Sequence, residues 1–375
     1  KVIMRVDFNV PLDDNLNITD ARRIAAAVPT IKYILEHSAA KLILMSHLGR
    51  PDGQAVEKLR LNPVAKKLQE ILGEKVLKLD DCVGDKVSEA IAKSKERVIL
   101  LENLRFHAAE EKNVPEFAKQ LASLADIYVN DAFGTAHRAH ASTEGITKYL
   151  KSCAGYLLGK ELKYLGMVTN NSQKPLVVIL GGAKVSDKIL LIENILTKAD
   201  TLIIAGGMAY TFLKAQGKGV GNSRLEKEKV DTAKAILEKA KKLNVAIELS
   251  SDFLIVQKFN DPSTRKYVKS EIPDGWEGLD IGPESIERFK KVLANAKTIV
   301  WNGPVGVFEI DEYSNGTREI AKYIASLKGV TSIIGGGDSA AAISKFGLDD
   351  KFTNISTGGG ASLELLEGKN LPGIV

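Results

Sequence analysis

The most regular feature of the chain is a recurring unit: a short apolar run, a polar or glycine-rich turn, then a segment of helical period. The runs are KLILMSH (41–47), RVILLEN (97–103), DIYVND (126–131), LVVILGG (176–182), TLIIAGG (201–207), VAIELSSD (245–252), TIVWNG (298–303) and SIIGGGD (332–338). They are apolar throughout rather than alternating. That is the pattern of strands buried on both faces, hence of parallel sheets wrapped by helices. Helical period marks ARRIAAAVPTIKYILEH (21–37), where Pro29 starts or kinks a helix, and also VPEFAKQLASLA (114–125), KEKVDTAKAILEKAKKL (227–243) and ESIERFKKVLANA (284–296). AGYLLGKELKYLGMV (154–168) reads as a helix without a sheet partner, an interdomain connector. The pattern predicts an α/β protein.

A length of 375 residues suits two domains of ordinary size. No apolar run approaches the ~20 residues that span a bilayer, and no charged-then-apolar leader is visible. Cys82 and Cys153 are far apart and outside any C-x-x-C, so neither a disulfide framework nor a zinc site is expected. The net charge of +5 is mild and no Lys/Arg run interleaves with aromatics, which argues against nucleic-acid binding and toward small anionic ligands.

In open parallel sheets, ligands sit beyond the carboxyl ends of the strands. In the first 145 residues those ends carry a basic set, Asp7, Asn9, His47, Arg50, Arg105, His137 and Arg138, with Arg23 nearby. From residue 176 onward they carry Gly-Gly-Ala-Lys, Ala-Gly-Gly-Met, Trp-Asn-Gly-Pro and Gly-Gly-Gly-Asp. Two chemistries predict two lobes holding two ligands. Arginine offers a charged planar fork for phosphate and carboxylate oxygens. His47 and His137 are read as donors to an anion, His140 as structural. In LVVILGGAKVSDKIL (176–190), Gly181 and Gly182 followed by Lys184 and Lys188, at what reads as a helix N-terminus, form an anion cradle or simply a tight turn. Asp338 is a candidate Mg²⁺ ligand or a helix N-cap, and Glu309 a ribose acceptor or a surface carboxylate. Neither a Walker-type loop nor a G-x-G-x-x-G between strand and helix is present. The basic set contains no base except Asp7, which suits a carboxylate acceptor, already ionised at neutral pH.

Ten segments then carry a resemblance to the phosphoglycerate kinase family. They are RVDFNVPL (5–12), SHLGRP (46–51), LLENLRFH (100–107), NDAFGTAHRAHAS (130–142), LGGAKVSDKI (180–189), GGMAYTF (206–212), LDIGPES (279–285), WNGPVGVFE (301–309), IIGGGDSA (333–340) and STGGGASLELLEGK (356–369), in family order. The resemblance implies two Rossmann-like lobes joined by an interdomain helix and hinge: a triose lobe over 1–154, the helix over 155–170, a nucleotide lobe over 171–365, and a segment over 366–375 returning to the first lobe. It implies reversible in-line phosphoryl transfer between 1,3-bisphosphoglycerate and ADP, giving 3-phosphoglycerate and ATP, after hinge closure.

By the same resemblance, Asp7, Asn9, Arg23, His47, Arg50, Arg105, His137 and Arg138 bind the triose. Lys184 and Lys188 meet the transferred phosphoryl and the nucleotide phosphates. Gly207, Gly278 and Leu279 line the adenine pocket with Asn302, Pro304 and Val307 beside it; Glu309 holds the ribose. The loop Gly336, Gly337, Asp338 and Ser339 takes the phosphates, with Asp338 on Mg²⁺, and Gly358, Gly359 and Gly360 supply backbone donors. Arg23, Lys184, Gly336 and Gly359 are the groups around the migrating phosphoryl. Ser339 stands where many members have threonine. Lys1 is not an initiator and Val375 precedes the family's usual tail, so trimmed ends are expected. A monomer is expected, in the cytoplasm or in an organelle addressed by a missing terminus. A nicotinamide dehydrogenase and a non-catalytic anion-binding protein are the competing readings.

Overall fold

The computed structural model describes residues 1–170 and 172–375. It divides into two compact units, residues Lys1–Lys163 with Asn370–Val375, and Tyr164–Lys369. The division falls within the helix Tyr156–Asn170. Asn171, where the second lobe is expected to begin, lies outside the described residues.

Unit 1 is built on six parallel strands: Val2–Arg5 (β1), Leu42–Met45 (β2), Val76–Lys78 (β3), Val98–Leu100 (β4), Ile127–Asn130 (β5) and Lys151–Ala154 (β6), in the order β3-β4-β2-β1-β5-β6. β2 and β4 are buried along their whole length, as unbroken apolar runs require of strands covered on both faces. Apolar clusters fill both sides of the sheet, one around Phe8, Ile24 and Leu68, the other around Ile99, Phe117 and Tyr128. Pro29 neither starts nor breaks its helix, which runs through it from Arg22 to His37. The last residues pack on this unit: Asn130 Nδ2 donates to Gly373 O (2.9 Å), and Gly373 N–H to Ala136 O (2.9 Å).

The described residues of unit 2 carry nine strands: Leu176–Leu180 (β7), Thr201–Ile204 (β8), Ala246–Leu249 (β9), Asp252–Val256 (β10), Lys266–Lys269 (β11), Glu277–Ile281 (β12), Thr298–Asn302 (β13), Thr331–Gly335 (β14) and Asn354–Ile355 (β15). Six form a parallel sheet in the order β15-β14-β13-β7-β8-β9. The chain winds outward from β7 to β9, then returns to β13 and winds the other way, so the order reverses between β7 and β13. That reversal opens a crevice at the strand ends. β10, β11 and β12 form a separate antiparallel sheet, which the purely parallel expectation omits. The omission has a physical cause: KYVK in β11 is mostly exposed and charged, so it lacks the apolar signature of a buried strand.

Candidate active site

In unit 1 the loops beyond β1, β2 and β4 are tied into one hydrogen-bonded chain. Asp7 is buried, and its carboxylate accepts from Arg23 Nη1 (2.9 Å) and from the Asn9 N–H (3.2 Å). Arg23 comes from the first turn of its helix rather than from a strand end, and donates also to Asn9 O (3.3 Å). Asn9 Oδ1 accepts from the Gly49 N–H (2.9 Å), and Gly49 O accepts from Arg105 Nη1 (3.0 Å). Arg105 is buried, with Nε 3.3 Å from Glu111 Oε1, and Arg138 Nη1 lies 3.9 Å from the same oxygen. Arg138 Nε also donates to His137 Nε2 (3.2 Å). Arg50 is exposed and makes no hydrogen bond among the described residues.

His47 is buried, its Nδ1 4.0 Å from Asp7 Oδ1. Burial first, then the charges of Arg5, Arg105 and Arg23, push its pKa well below the ordinary value. His140 is pushed down to about 3 by burial and by Arg105, Arg5 and Arg138, so both rings are neutral at pH 7. Beneath them lies a fully buried group that sequence reasoning missed. Arg5 Nε donates to Ser142 Oγ (2.8 Å), Ser142 Oγ donates to Glu110 Oε1, and Glu110 Oε2 accepts from the Ser142 N–H (2.9 Å). Arg5 directly follows the apolar Val2, Ile3 and Met4, but nothing in the sequence names its partners, and Glu110 and Glu111 carried no signal.

In unit 2, Gly181 and Gly182 have different jobs. Gly181 N–H donates to Asn302 O (3.0 Å), and a Cβ on Gly181 would lie 1.9 Å from Pro304 O. Gly181 therefore closes the two halves of the sheet against each other. Gly182, at φ 108°, lies at the crevice, where a Cβ would meet nothing nearer than Lys188 Cε at 3.5 Å. The lysines do not open an α-helix as expected: a 3₁₀ turn Ser186–Lys188 comes first and the helix Ile189–Ile195 follows. The Glu226 carboxylate holds this loop, accepting from the N–H groups of Val185 (2.5 Å) and Ser186 (3.1 Å). Lys184 is exposed and forms no ion pair among the described residues. Lys188 Nζ donates to Asn302 Oδ1, and burial lowers its pKa against the pull of Asp338.

Two adjoining hollows lie here. One, of about 300 Å³, is lined by Gly207, Gly278, Leu279, Pro304, Val307 and Glu309 together with Tyr210, Arg224, Phe259 and Glu277. The other, of about 420 Å³, is lined by Lys184, Lys188, Asn302, Gly336, Gly337, Asp338, Ser339, Gly359 and Gly360. They share Gly182, Ala183 and Asp338, so one groove runs from an apolar slot to a cationic, glycine-lined end. Asn302, expected beside the adenine pocket, lines the cationic end, which adjoins the apolar slot, while Pro304 and Val307 line the slot itself. Asp338 is not an N-cap: Gly336 (φ 86°) caps the helix Gly337–Lys345, and Asp338 stands exposed in its first turn with no hydrogen bond among the described residues. Ser339 Oγ accepts from the Gly303 N–H (2.6 Å), joining that helix to the loop after β13.

The sequence model of the family described as "Phosphoglycerate kinase" matches residues 1–369. A phosphoglycerate kinase of Gloeothece citriformis is 57% identical over 379 residues, covering 100% of this chain and 94% of the relative, and a cytosolic phosphoglycerate kinase of Nicotiana tabacum is 56% identical over 380 residues at the same coverage. The solved structure of phosphoglycerate kinase from Coxiella burnetii superposes with a TM-score of 0.89 at 43% identity, over 100% of this chain and 94% of that one. A groove at the sheet reversal in one unit, a cationic cluster at the strand ends of the other, and likeness along the whole length lead to one conclusion: this chain belongs to the phosphoglycerate kinase family.

Proposed function

We propose that the chain transfers the acyl phosphate of 1,3-bisphosphoglycerate to ADP, and the reverse, with the triose bound by unit 1 and the nucleotide by unit 2. One observation carries the division: the groove of unit 2 joins an apolar slot for a base to a glycine- and lysine-lined end for phosphates. In this reading Leu279, Val307 and Pro304 flank the base, Glu309 meets the ribose, and Lys188 with Gly336, Gly337 and Ser339 holds phosphate oxygens. Asp7, Asn9, His47, Arg50, Arg105, His137 and Arg138 hold the triose.

The chemistry asks little of an acid or base. The acceptor carboxylate of 3-phosphoglycerate is ionised at neutral pH, and Asp7, the one carboxylate among the residues assigned to the triose, is engaged by Arg23 and Asn9. Catalysis is then positioning and charge compensation around the migrating phosphoryl. Arg23 neutralises it from the triose side, and Lys184 with the Gly336 and Gly359 N–H groups from the nucleotide side. Because donor and acceptor belong to different units, turnover requires a closed state. Asp338, an exposed carboxylate at the phosphate end with no hydrogen bond or ion pair among the described residues, would hold a magnesium ion, a hard cation that takes carboxylate oxygen. When bound, that ion offsets the phosphate charge. The working form is proposed to be a cytoplasmic monomer, a location shared with the tobacco relative named cytosolic.

A coupled assay of ATP formation from 1,3-bisphosphoglycerate and Mg-ADP tests the reading. Turnover that saturates in both substrates is expected. Binding of NADH without any response to Mg-ADP would favour a dehydrogenase instead.

A further inference from the structure

His47 is set apart from the other candidate triose ligands by what stands behind it. Arg5 is fully buried at the end of β1, and its Nη2 lies 3.2 Å from His47 Nδ1. A guanidinium has five donors, no acceptor, and a permanent charge. Nδ1 must therefore be the lone-pair nitrogen, which leaves the ring proton on Nε2. Protonating Nδ1 would set donor against donor and cation against cation at 3.2 Å in a buried site.

The other groups facing the ring do not reverse this. Asp7 Oδ1 is 4.0 Å away, beyond hydrogen-bond reach, and is already accepting from Asn9. Arg23, Arg105 and His140 act on His47 in the same direction as Arg5. Arg5 itself cannot turn away. Its Nη1 donates to Val6 O and its Nε to Ser142 Oγ, which is fixed in turn by Glu110.

We propose that Arg5 is a positioning residue for phosphoryl transfer: it locks His47 as a neutral Nε2–H donor for an anionic substrate oxygen, and Ser142 and Glu110 hold Arg5 in place. The functional half of this rests on the assignment of His47 to the triose site above. A donor fixed in this way does not titrate across the range in which a phosphate monoester takes its second charge, near pH 6, so recognition follows the substrate's ionisation alone.

The direct test is nitrogen NMR of the full chain with ¹⁵N-labelled histidine. Across pH 6.0 to 7.5 His47 should show a pyridine-type Nδ1 and a pyrrole-type Nε2 without titrating; an Nδ1–H tautomer or an imidazolium in that range overturns the proposal. In Arg5→Met the His47 signal should begin to titrate and the KM for 3-phosphoglycerate should rise roughly tenfold, as expected for loss of an oriented hydrogen bond to a charged group, while kcat changes less. Arg5→Lys, which restores a donor, should recover part of both. If Arg5→Met does not fold, Ser142→Ala provides a milder loosening, with an intermediate rise in KM; an unchanged KM beside an altered His47 spectrum rejects the functional role. His47→Ala separates the two readings. If 3-phosphoglycerate binding is unaffected, the triose assignment fails, and with it the role given to Arg5, whatever the tautomer.

Discussion

The two units prepare for anionic ligands in opposite ways. Unit 1 gathers charged side chains and braces them: Arg23 on buried Asp7, Arg105 and Arg138 on Glu111, His47 on Arg5, and Arg5 on Ser142 and Glu110. Unit 2 offers backbone and space: Gly182, Gly336 and Gly359 at positive φ, and the exposed Lys184 and Asp338, neither in an ion pair among the described residues. The small, densely charged triose proposed for unit 1 would meet fixed forks whose charge is already balanced by protein partners. For the nucleotide proposed for unit 2, with its apolar base and phosphates, a shaped groove with amide donors is enough. Bracing should make unit 1 intolerant of changes in side-chain shape. Openness should make unit 2 tolerant of them except where its backbone is closed.

The largest effects should come from the two cations assigned to the migrating phosphoryl. Arg23→Ala and Lys184→Ala are each expected to lower kcat about 10²- to 10³-fold, the usual cost of removing one group aimed at developing charge. ADP affinity in Arg23→Ala should be nearly unchanged. The conservative swaps sharpen the contrast. Arg23→Lys should be almost as damaging as alanine, because Nη1 alone serves Asp7 and Asn9 and leaves the rest of the planar guanidinium for the phosphoryl, which one ammonium does not replace, whereas unbraced Lys184→Arg should keep a measurable part of the rate. Steady-state kinetics showing equal tolerance at both positions would break the comparison.

Next in size is the closure of unit 2. Gly181→Ala places a methyl 1.9 Å from Pro304 O, backbone that cannot swing aside, and should destabilise the chain by about 3 kcal/mol or more. Thermal or urea unfolding reads this directly. A melting curve like that of the unaltered chain would mean that the junction of β7 and β13 is softer than its hydrogen bonds suggest.

Buried titratable groups give the units opposite pH slopes. In unit 1, His140 has a folded pKa of about 3 against about 6.5 in an unfolded chain. The unfolded state therefore binds the extra proton below pH 6.5, and stability falls as the pH drops. His47 adds to this slope, and Glu110 and Asp131, raised by burial, oppose part of it at lower pH. In unit 2, burial raises Asp280 to about 8. Between about pH 4 and 8 the folded state holds the proton, so stability falls as the pH rises. Each slope has a limit of about 1.4 kcal/mol per pH unit per group. His140→Asn should flatten the acid limb of a Tm-against-pH curve and Asp280→Asn the alkaline limb; the reverse pattern would contradict both assignments.

How much of this was legible in the sequence follows from where each signal resides. Parallel strands announce themselves through composition, since burial on both faces forbids alternation; β7, β8 and β13 fall inside runs read from the sequence, and β14 overlaps one in all but its first residue. β1 is four residues long and ends in Arg5, and β11 is exposed and charged, so neither has a compositional signature. The candidate site residues at strand ends were visible because charge or glycine is unexpected directly after an apolar run. The bracing residues were not, because their meaning depends on partners far off in the chain: Arg5 lies 137 residues from Ser142, and Ser142 lies 32 from Glu110. The two roles of Gly181 and Gly182 were equally hidden, since only the structure shows that one faces Pro304 and the other the crevice.

The smallest predicted effect isolates the open end of the groove. Gly337 opens the helix Gly337–Lys345, and a Cβ there would meet nothing within 4 Å. Gly337→Ala should therefore leave stability unchanged or raise it by up to about 0.5–1 kcal/mol, through helix propensity and a stiffer unfolded chain. The added methyl stands in the hollow lined by Lys184, Lys188 and Asp338, where the phosphates proposed to bind would need close approach to amide donors. ADP affinity should drop roughly fivefold, or about 1 kcal/mol, with the KM for 3-phosphoglycerate unchanged. Calorimetric titration with Mg-ADP beside a thermal melt separates the two quantities. A loss of stability without a loss of affinity would mean that Gly337, like Gly181, serves the fold, and that the contrast between a braced unit and an open one ends at the mouth of the groove.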